Sequence, residues 1–297
     1  MNALNTLKTV LLLTVLTVLL VLMGRLVGGT SGMIVAFGLA LLMNFGTYWF
    51  SDRLALAMAG AKEVSYEEAP ELHRLVEQLA LQARLPKPRV YMMQTEAANA
   101  FAAGRNPGHA LVAVTAGLMR MLDRDELAGV LAHELAHIRN RDTLIATIVA
   151  TVAGAITMVA NIAQWGLLFG GFGRSDDEEG AGDLAGLAGS ILMIFLAPIA
   201  ATLIQLAISR SREYQADTTG AQILGDPLPL ATALQRLELA SHTAPLQVNP
   251  AAAHQFTVRP FTGGGIMALF STHPSTEERV ARLRQMALHP LSYTGGN

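Results

Sequence analysis

The sequence predicts an α+β chain set in a membrane, with about four transmembrane helices, a mostly helical domain outside the bilayer and a small antiparallel sheet. Three observations predict it. Hydrophobic residues make up 52% of the 297 residues and charged residues only 15%, against about 25% charged in soluble domains. The mean hydropathy is +0.38. The apolar residues also gather in four long stretches, with amphipathic segments and two short β-rich runs between them.

The first stretch runs from Leu4 to Val27, with Lys8 near its start and Arg25 near its end. An apolar run so close to the N-terminus also fits a signal peptide. No small-x-small cleavage site follows, and a second apolar stretch arrives at once, so the run reads as a retained anchor with Lys8 snorkelling. The second stretch, Ile34 to Phe50, is uncharged, with Asn44 and Thr47 as polar members. With a turn at Gly28, Gly29 and Gly32, residues 1–50 are expected to form a transmembrane hairpin.

Residues 51–142 change character. A helix continues over Leu54 to Met58. Ser65-Tyr66-Glu67-Glu68 reads as a capped start, followed by a helix to about Gln82 with Leu72, Leu75, Val76 and Leu79 on one stripe. Pro86 and Pro88 break the chain. Arg89 to Met93 and Ala110 to Thr115 are the two β-rich runs, and Arg105-Asn106-Pro107-Gly108 is a turn signal. The exposed edge of such a sheet can hold an extended peptide by main-chain hydrogen bonds.

Glu126 to Asn140 forms the next helix, with Asp123 or Asp125 as its cap. It contains Leu131-Ala132-His133-Glu134-Leu135-Ala136-His137. The two histidines are four residues apart, so both imidazoles reach one ion from the same helical face. Glu134 lies beside that ion. This is the His-Glu-x-x-His pattern of zinc metalloproteases, with the glutamate as general base. A chance match on an amphipathic helix is the simpler account, but two histidines on an apolar face need partners. Cysteine is absent, so zinc ligands must be His, Glu or Asp, which favours a catalytic zinc over a structural one. A net charge of -2 gives no support for nucleic-acid binding.

The third and fourth stretches, about Thr143 to Phe169 and Leu187 to Ile208, are predicted to form a second pair of spans. The acidic, glycine-rich segment 170–186 between them reads as a solvated loop. The basic residues at the span ends orient the model. Residues 51–142 and 209–297, the two parts of the domain outside the bilayer, are expected together on the cytoplasmic side.

Beyond the fourth stretch, Glu213-Tyr214-Gln215-Ala216-Asp217 lies on an expected helix. Glu213 can supply a third ligand, and two His with one Glu is an established catalytic zinc set. Asp217, one turn later, can fix the tautomer of a ligating imidazole. Glu and Asp most often sit at the surface, and His242, His254 and His273 compete as third ligands. A helix follows at about Pro229 to Ser241. His273-Pro274-Ser275-Thr276-Glu277-Glu278 leads into a capped helix carrying Arg279, Arg282 and Arg284.

Taken together, these segments resemble the HtpX heat-shock membrane proteases of the M48 metallopeptidase family. The resemblance rests on the N-terminal pair of spans, Asn99-Ala100-Phe101-Ala102, Val130 to His137, Ser211 to Asp217, and His273-Pro274 with Arg282. It implies an integral membrane zincin, gluzincin-like, with one Zn2+ per chain on His133, His137 and Glu213. Asp217 would be the partner on the Glu213 helix. Asn99, Ala100, Phe101 and Ala102 would line the substrate edge. His273 and Arg282 would sit near the cleft, with His273 offered as an oxyanion stabiliser. It further implies an enzyme of the bacterial inner membrane, facing the cytoplasm, that hydrolyses misfolded or damaged membrane proteins. A homo-oligomer is compatible with this reading. Two other functions share parts of the pattern: a prenyl-peptide protease of the same family, and a zinc-binding membrane scaffold without proteolysis. The four spans speak against the first, whose relatives use a larger helical chamber. The intact Glu134 speaks against the second.

Overall fold

Helix α1 (Ala3–Trp49) has 47 residues, yet its two ends lie side by side. In a straight helix, rising about 1.5 Å per residue, Leu13 and Asn44 would be roughly 46 Å apart. Instead the Asn44 amide donates to the Leu13 carbonyl at 3.4 Å and to the Thr17 hydroxyl at 2.8 Å. The reversal falls at Gly29, whose φ of +59° is open to a residue without Cβ. Its second arm, Gly29–Trp49, is long and apolar enough to cross a membrane. Ile34, Val35 and Leu42 on that arm are exposed, unlike the side chains of a soluble core helix.

The computed structural model describes residues 3–145, residue 148, residues 210–243 and residues 274–289. Apart from its first turn and residue 148, the expected second pair of spans lies outside the described residues. So do the acidic loop 170–186, His254 and His273.

Helix α2 (Ser51–Ala59) follows α1 directly. Next come β1 (Lys62–Glu63), α3 (Pro70–Ala83), β2 (Arg89–Met93), β3 (Ala100–Ala103) and β4 (Leu111–Thr115). The Ser65–Glu68 pair exchanges hydrogen bonds as a capping box would, but it closes a turn, and α3 begins only at Pro70. Among the described residues the strands form one sheet in the order β1-β2-β4-β3. The sheet is mixed, which corrects the antiparallel expectation. β2 and β4 pair in parallel, from Arg89 with Leu111 to Met93 with Thr115. The intervening strand β3 turns back and pairs antiparallel with β4, Phe101 facing Ala113. That hairpin reverses the direction of β4 relative to a simple two-strand turn.

The sheet is covered on both faces. Ala100 and Ala102 point into a core with Leu72, Leu79, Leu131 and Leu135. Phe101 and Ala103 point into a second cluster with Ala55, packed against Leu56 and Ala59 of α2. This is the period-two alternation of a strand. The sheet is also moored to the hairpin. Arg89 pairs with Asp52 at 2.6 Å. Arg105, just past β3, stacks over the Trp49 ring at 4.7 Å and donates to the Trp49 carbonyl at 3.1 Å.

Helix α4 (Ala116–Met121) leads to α5 (Arg124–Asn140). Asp123 caps α5, accepting from the amides of Asp125 and Glu126, while Glu126 returns the bond to the Asp123 amide. Helices α6 (Arg210–Leu224) and α7 (Leu228–Thr243) pack on α5, and α8 (Thr276–Leu288), capped by Ser275, packs on α6 and α7. α5 is thus the central helix and is buried almost all round, from Glu126 to Ala136.

Candidate metal centre

Two elements far apart in sequence meet at the middle of α5. Gly220 of α6 lies so close that a Cβ there would stand 2.9 Å from the His133 amide nitrogen and 3.0 Å from its Cα. This contact brings Glu213, two turns earlier on α6, to the histidine face of α5. Glu213 Oε2 is 3.7 Å from His133 Nε2, and Glu213 Oε1 is 3.7 Å from His137 Nε2. The two Nε2 atoms are themselves 3.2 Å apart. Tetrahedral zinc, with bonds of about 2.0–2.1 Å, sets its ligand atoms roughly 3.3 Å from one another. The three side chains therefore form a cluster that fits a metal ion.

The far side of each ring argues for the same thing. His133 Nδ1 is 2.9 Å from Asp217 Oδ1, and His137 Nδ1 is 3.0 Å from Asp142 Oδ2. Each carboxylate accepts an N–H from Nδ1, so each Nε2 presents a lone pair. Two Nε2 atoms 3.2 Å apart, beside a carboxylate, require a shared proton or a metal cation among them.

Arg279 of α8 completes the inner layer. It is buried, donating Nε to Asp217 Oδ2 at 2.8 Å and Nη2 to Asp217 Oδ1 at 2.6 Å. The same Nη2 lies 3.4 Å from both nitrogens of the His133 ring. Burial pushes the Asp217 carboxyl up, but Arg279 and His133 outweigh it and hold it at about 2. Burial likewise lowers Arg279, and Asp217, Glu213 and Glu134 together raise it above its ordinary value. For His137, burial works downward, and Asp142, Glu213 and Glu134 carry it up to about 10. Arg212, beside Glu213 on α6, is buried and lowered by that burial, against the pull of Asp142 and Glu213. The environment is thus rich in carboxylates and poor in water, suited to a dication.

His133, Glu134, His137, Glu213 and Asp217 all fall together around this point. His133 is sealed, whereas the His137 side chain keeps 18% of its exposure and marks the open side. Ala100, Phe101 and Ala102 lie on the outer strand of the sheet, which packs against α5, and Asn99 immediately precedes it. Asn99 is buried and its Oδ1 accepts the Ala100 amide, while its own amide donates to Thr115 Oγ1. Arg282 has a 55% exposed side chain, 3.8 Å over the ring of Tyr214, the neighbour of Glu213. Sequence reasoning missed the roles of Asp142 and Arg279. For Arg279 a signal was present, since Arg279, Leu283 and Met286 share the buried stripe of α8.

A mixed helical domain with a metal cluster on His-Glu-x-x-His plus a distant glutamate, joined to an apolar membrane helix, defines a membrane metallopeptidase. Comparison with known proteins supplies the family. The model of peptidase family M48 matches residues 66–287, and the chain belongs to that family. A protein named Protease HtpX homolog from Aquifex aeolicus is 57% identical over 265 residues, covering 89% of this chain and 87% of that one. Another of the same name from Pyrococcus furiosus is 58% identical over 267 residues, covering 90% of each. Among solved structures, S. mikatae Ste24p matches 82% of this chain and 56% of its own, with a TM-score of 0.48 and 18% identity. The protein is a zinc-dependent membrane metalloendopeptidase.

Proposed function

We propose that the protein binds one Zn2+ through His133, His137 and Glu213, and hydrolyses peptide bonds of misfolded or damaged membrane proteins with Glu134 as general base. The observation that carries the zinc assignment is the pair of Nε2 atoms 3.2 Å apart, each backed by a carboxylate on Nδ1. When bound, zinc supplies Lewis-acid chemistry, acidifying water and polarising a peptide carbonyl. Glu134, buried beside the histidines, takes the proton from the attacking water and passes it to the leaving amine. Asp217 and Arg279 hold the His133 ring in place while charge develops. No side chain becomes acylated.

The outer position of β3 supports a substrate lying as an extended strand along Asn99 to Ala102. The mooring of that strand's end to Trp49 favours polypeptides presented at the membrane surface. We assign the second pair of spans to residues 143–208, the catalytic parts to 51–142 and 209–297, and the location to the cytoplasmic face of an inner membrane. His273 remains our proposed oxyanion stabiliser.

The test is a cleavage assay on the full chain in lipid nanodiscs, with an unfolded membrane protein as substrate. Glu134→Gln should keep its zinc and lose roughly 10²–10⁴-fold in turnover. Chelation should stop the wild type and added zinc should restore it. Full cleavage by the glutamine variant would remove Glu134 from the mechanism.

A further inference from the structure

We infer that Asp142 is the positioning residue for His137, setting the tautomer and orientation of that ring and thereby the affinity for zinc. This rests on the zinc reading above. Three observations carry it.

The first is symmetry. Asp142 Oδ2 stands 3.0 Å from His137 Nδ1, and Asp217 Oδ1 stands 2.9 Å from His133 Nδ1. Each histidine engages a buried carboxylate on the same ring atom and turns the same atom, Nε2, to the centre. A carboxylate that accepts the Nδ1 proton locks the ring's rotation and makes Nε2 more basic.

The second is cost. Asp142 is 5% exposed and follows the C-terminus of α5, where the helix dipole disfavours an acid. Capping does not account for it. Backbone bonds close the end of α5, the Arg141 amide donating to the His137 and Ile138 carbonyls and the Asp142 amide to the His137 carbonyl. The carboxylate is free of that task and meets the His137 ring instead.

The third is how the chain delivers it. Arg141 adopts φ +60°, the left-handed conformation, which folds the chain back over the last turn of α5. Asp142, five residues past His137, thereby returns to the ring. Its neighbour Thr143 donates its hydroxyl to the Gly104 carbonyl at 2.8 Å and pins the segment from the other side. The turn is held at both ends and aimed at one imidazole.

The test uses the full chain in detergent micelles, with zinc affinity read by competition against a chelator. Asp142→Ala should bind zinc roughly 10–100-fold more weakly. Co2+ substituted into it should show displaced visible bands, because the His137 ligand field changes. Asp142→Asn, which keeps an acceptor without charge, should fall between. The metal-free protein should also lose thermal stability, because buried His137 and Arg212 each lose the Asp142 carboxylate, so the zinc affinity and the Co2+ spectrum decide. Wild-type affinity with an unchanged Co2+ spectrum would overturn the inference. So would a lower metal-free midpoint with those two readouts unmoved. If Asp142→Ala does not fold, the asparagine variant decides on the same readouts. Failure of the wild type to take up zinc in this titration would overturn the zinc reading, and this inference with it.

Discussion

Arg279 grips Asp217 through two nitrogens, at 2.8 and 2.6 Å, across 62 residues of chain. The pair is buried and joins the last described helix to the metal centre. Removing the arginine leaves Asp217 charged and buried without its cation. Arg279→Ala should therefore destabilise the fold by about 3–5 kcal/mol. Arg279→Lys keeps the charge but loses the fork, and should recover part of that. Denaturant unfolding of both variants in micelles measures the order.

Gly220 sets the distance between α5 and α6. A methyl group there meets the backbone of His133 at 2.9–3.0 Å, and backbone cannot swing aside. Gly220→Ala should cost about 1–3 kcal/mol as an overpacked contact. It should also weaken zinc binding, because α6 carries Glu213. Zinc titration beside thermal unfolding checks both effects, and unchanged zinc affinity would count against the close approach.

Zinc and a proton compete at His137. Without metal, the surrounding carboxylates raise this imidazole to about 10 despite its burial. At pH 7 it then holds a proton that zinc must displace. Zinc binding should release about one proton, and affinity should climb with pH toward 9. Calorimetry in buffers of different ionisation heat counts that proton. The sign for stability follows from the raised value. The protonated ring stabilises the metal-free fold fully below about pH 6.5, and this contribution fades as pH rises through about 10.

Asp217 gives the opposite limb. Arg279 and His133 lower it from 3.8 to about 2 against the effect of burial. Its contribution to stability is present above about pH 3.8 and is lost as pH falls through about 2. Thermal midpoints between pH 5 and 2 should therefore drop less steeply in Asp217→Asn than in the wild type, from a lower starting point.

The candidate metal cluster was legible because its signal is local. His133, Glu134 and His137 declare themselves by helical spacing, and Glu213 and Asp217 repeat one such spacing on a second helix. Asp142 was hidden, because its approach to His137 depends on a left-handed turn at Arg141, a residue type with no preference for it. Arg279 and Arg282 look alike in sequence and differ only in which face of α8 meets α6. The strand Ala100–Ala103 shows no polar alternation, since both of its faces are covered. Missing that strand is what made the sheet look antiparallel: β2 and β4 run parallel because β3 lies between them in sequence.

His137 and Glu213 stand 3.7 Å apart in space but 76 residues apart in the chain, and Arg279 comes later still. A growing polypeptide therefore displays its two histidines well before it owns a third ligand, and longer before it owns the arginine that steadies them. During synthesis the centre is incomplete by construction. The order of residues along the chain thus acts as a built-in delay, withholding the completed centre until Glu213 and then Arg279 have been made.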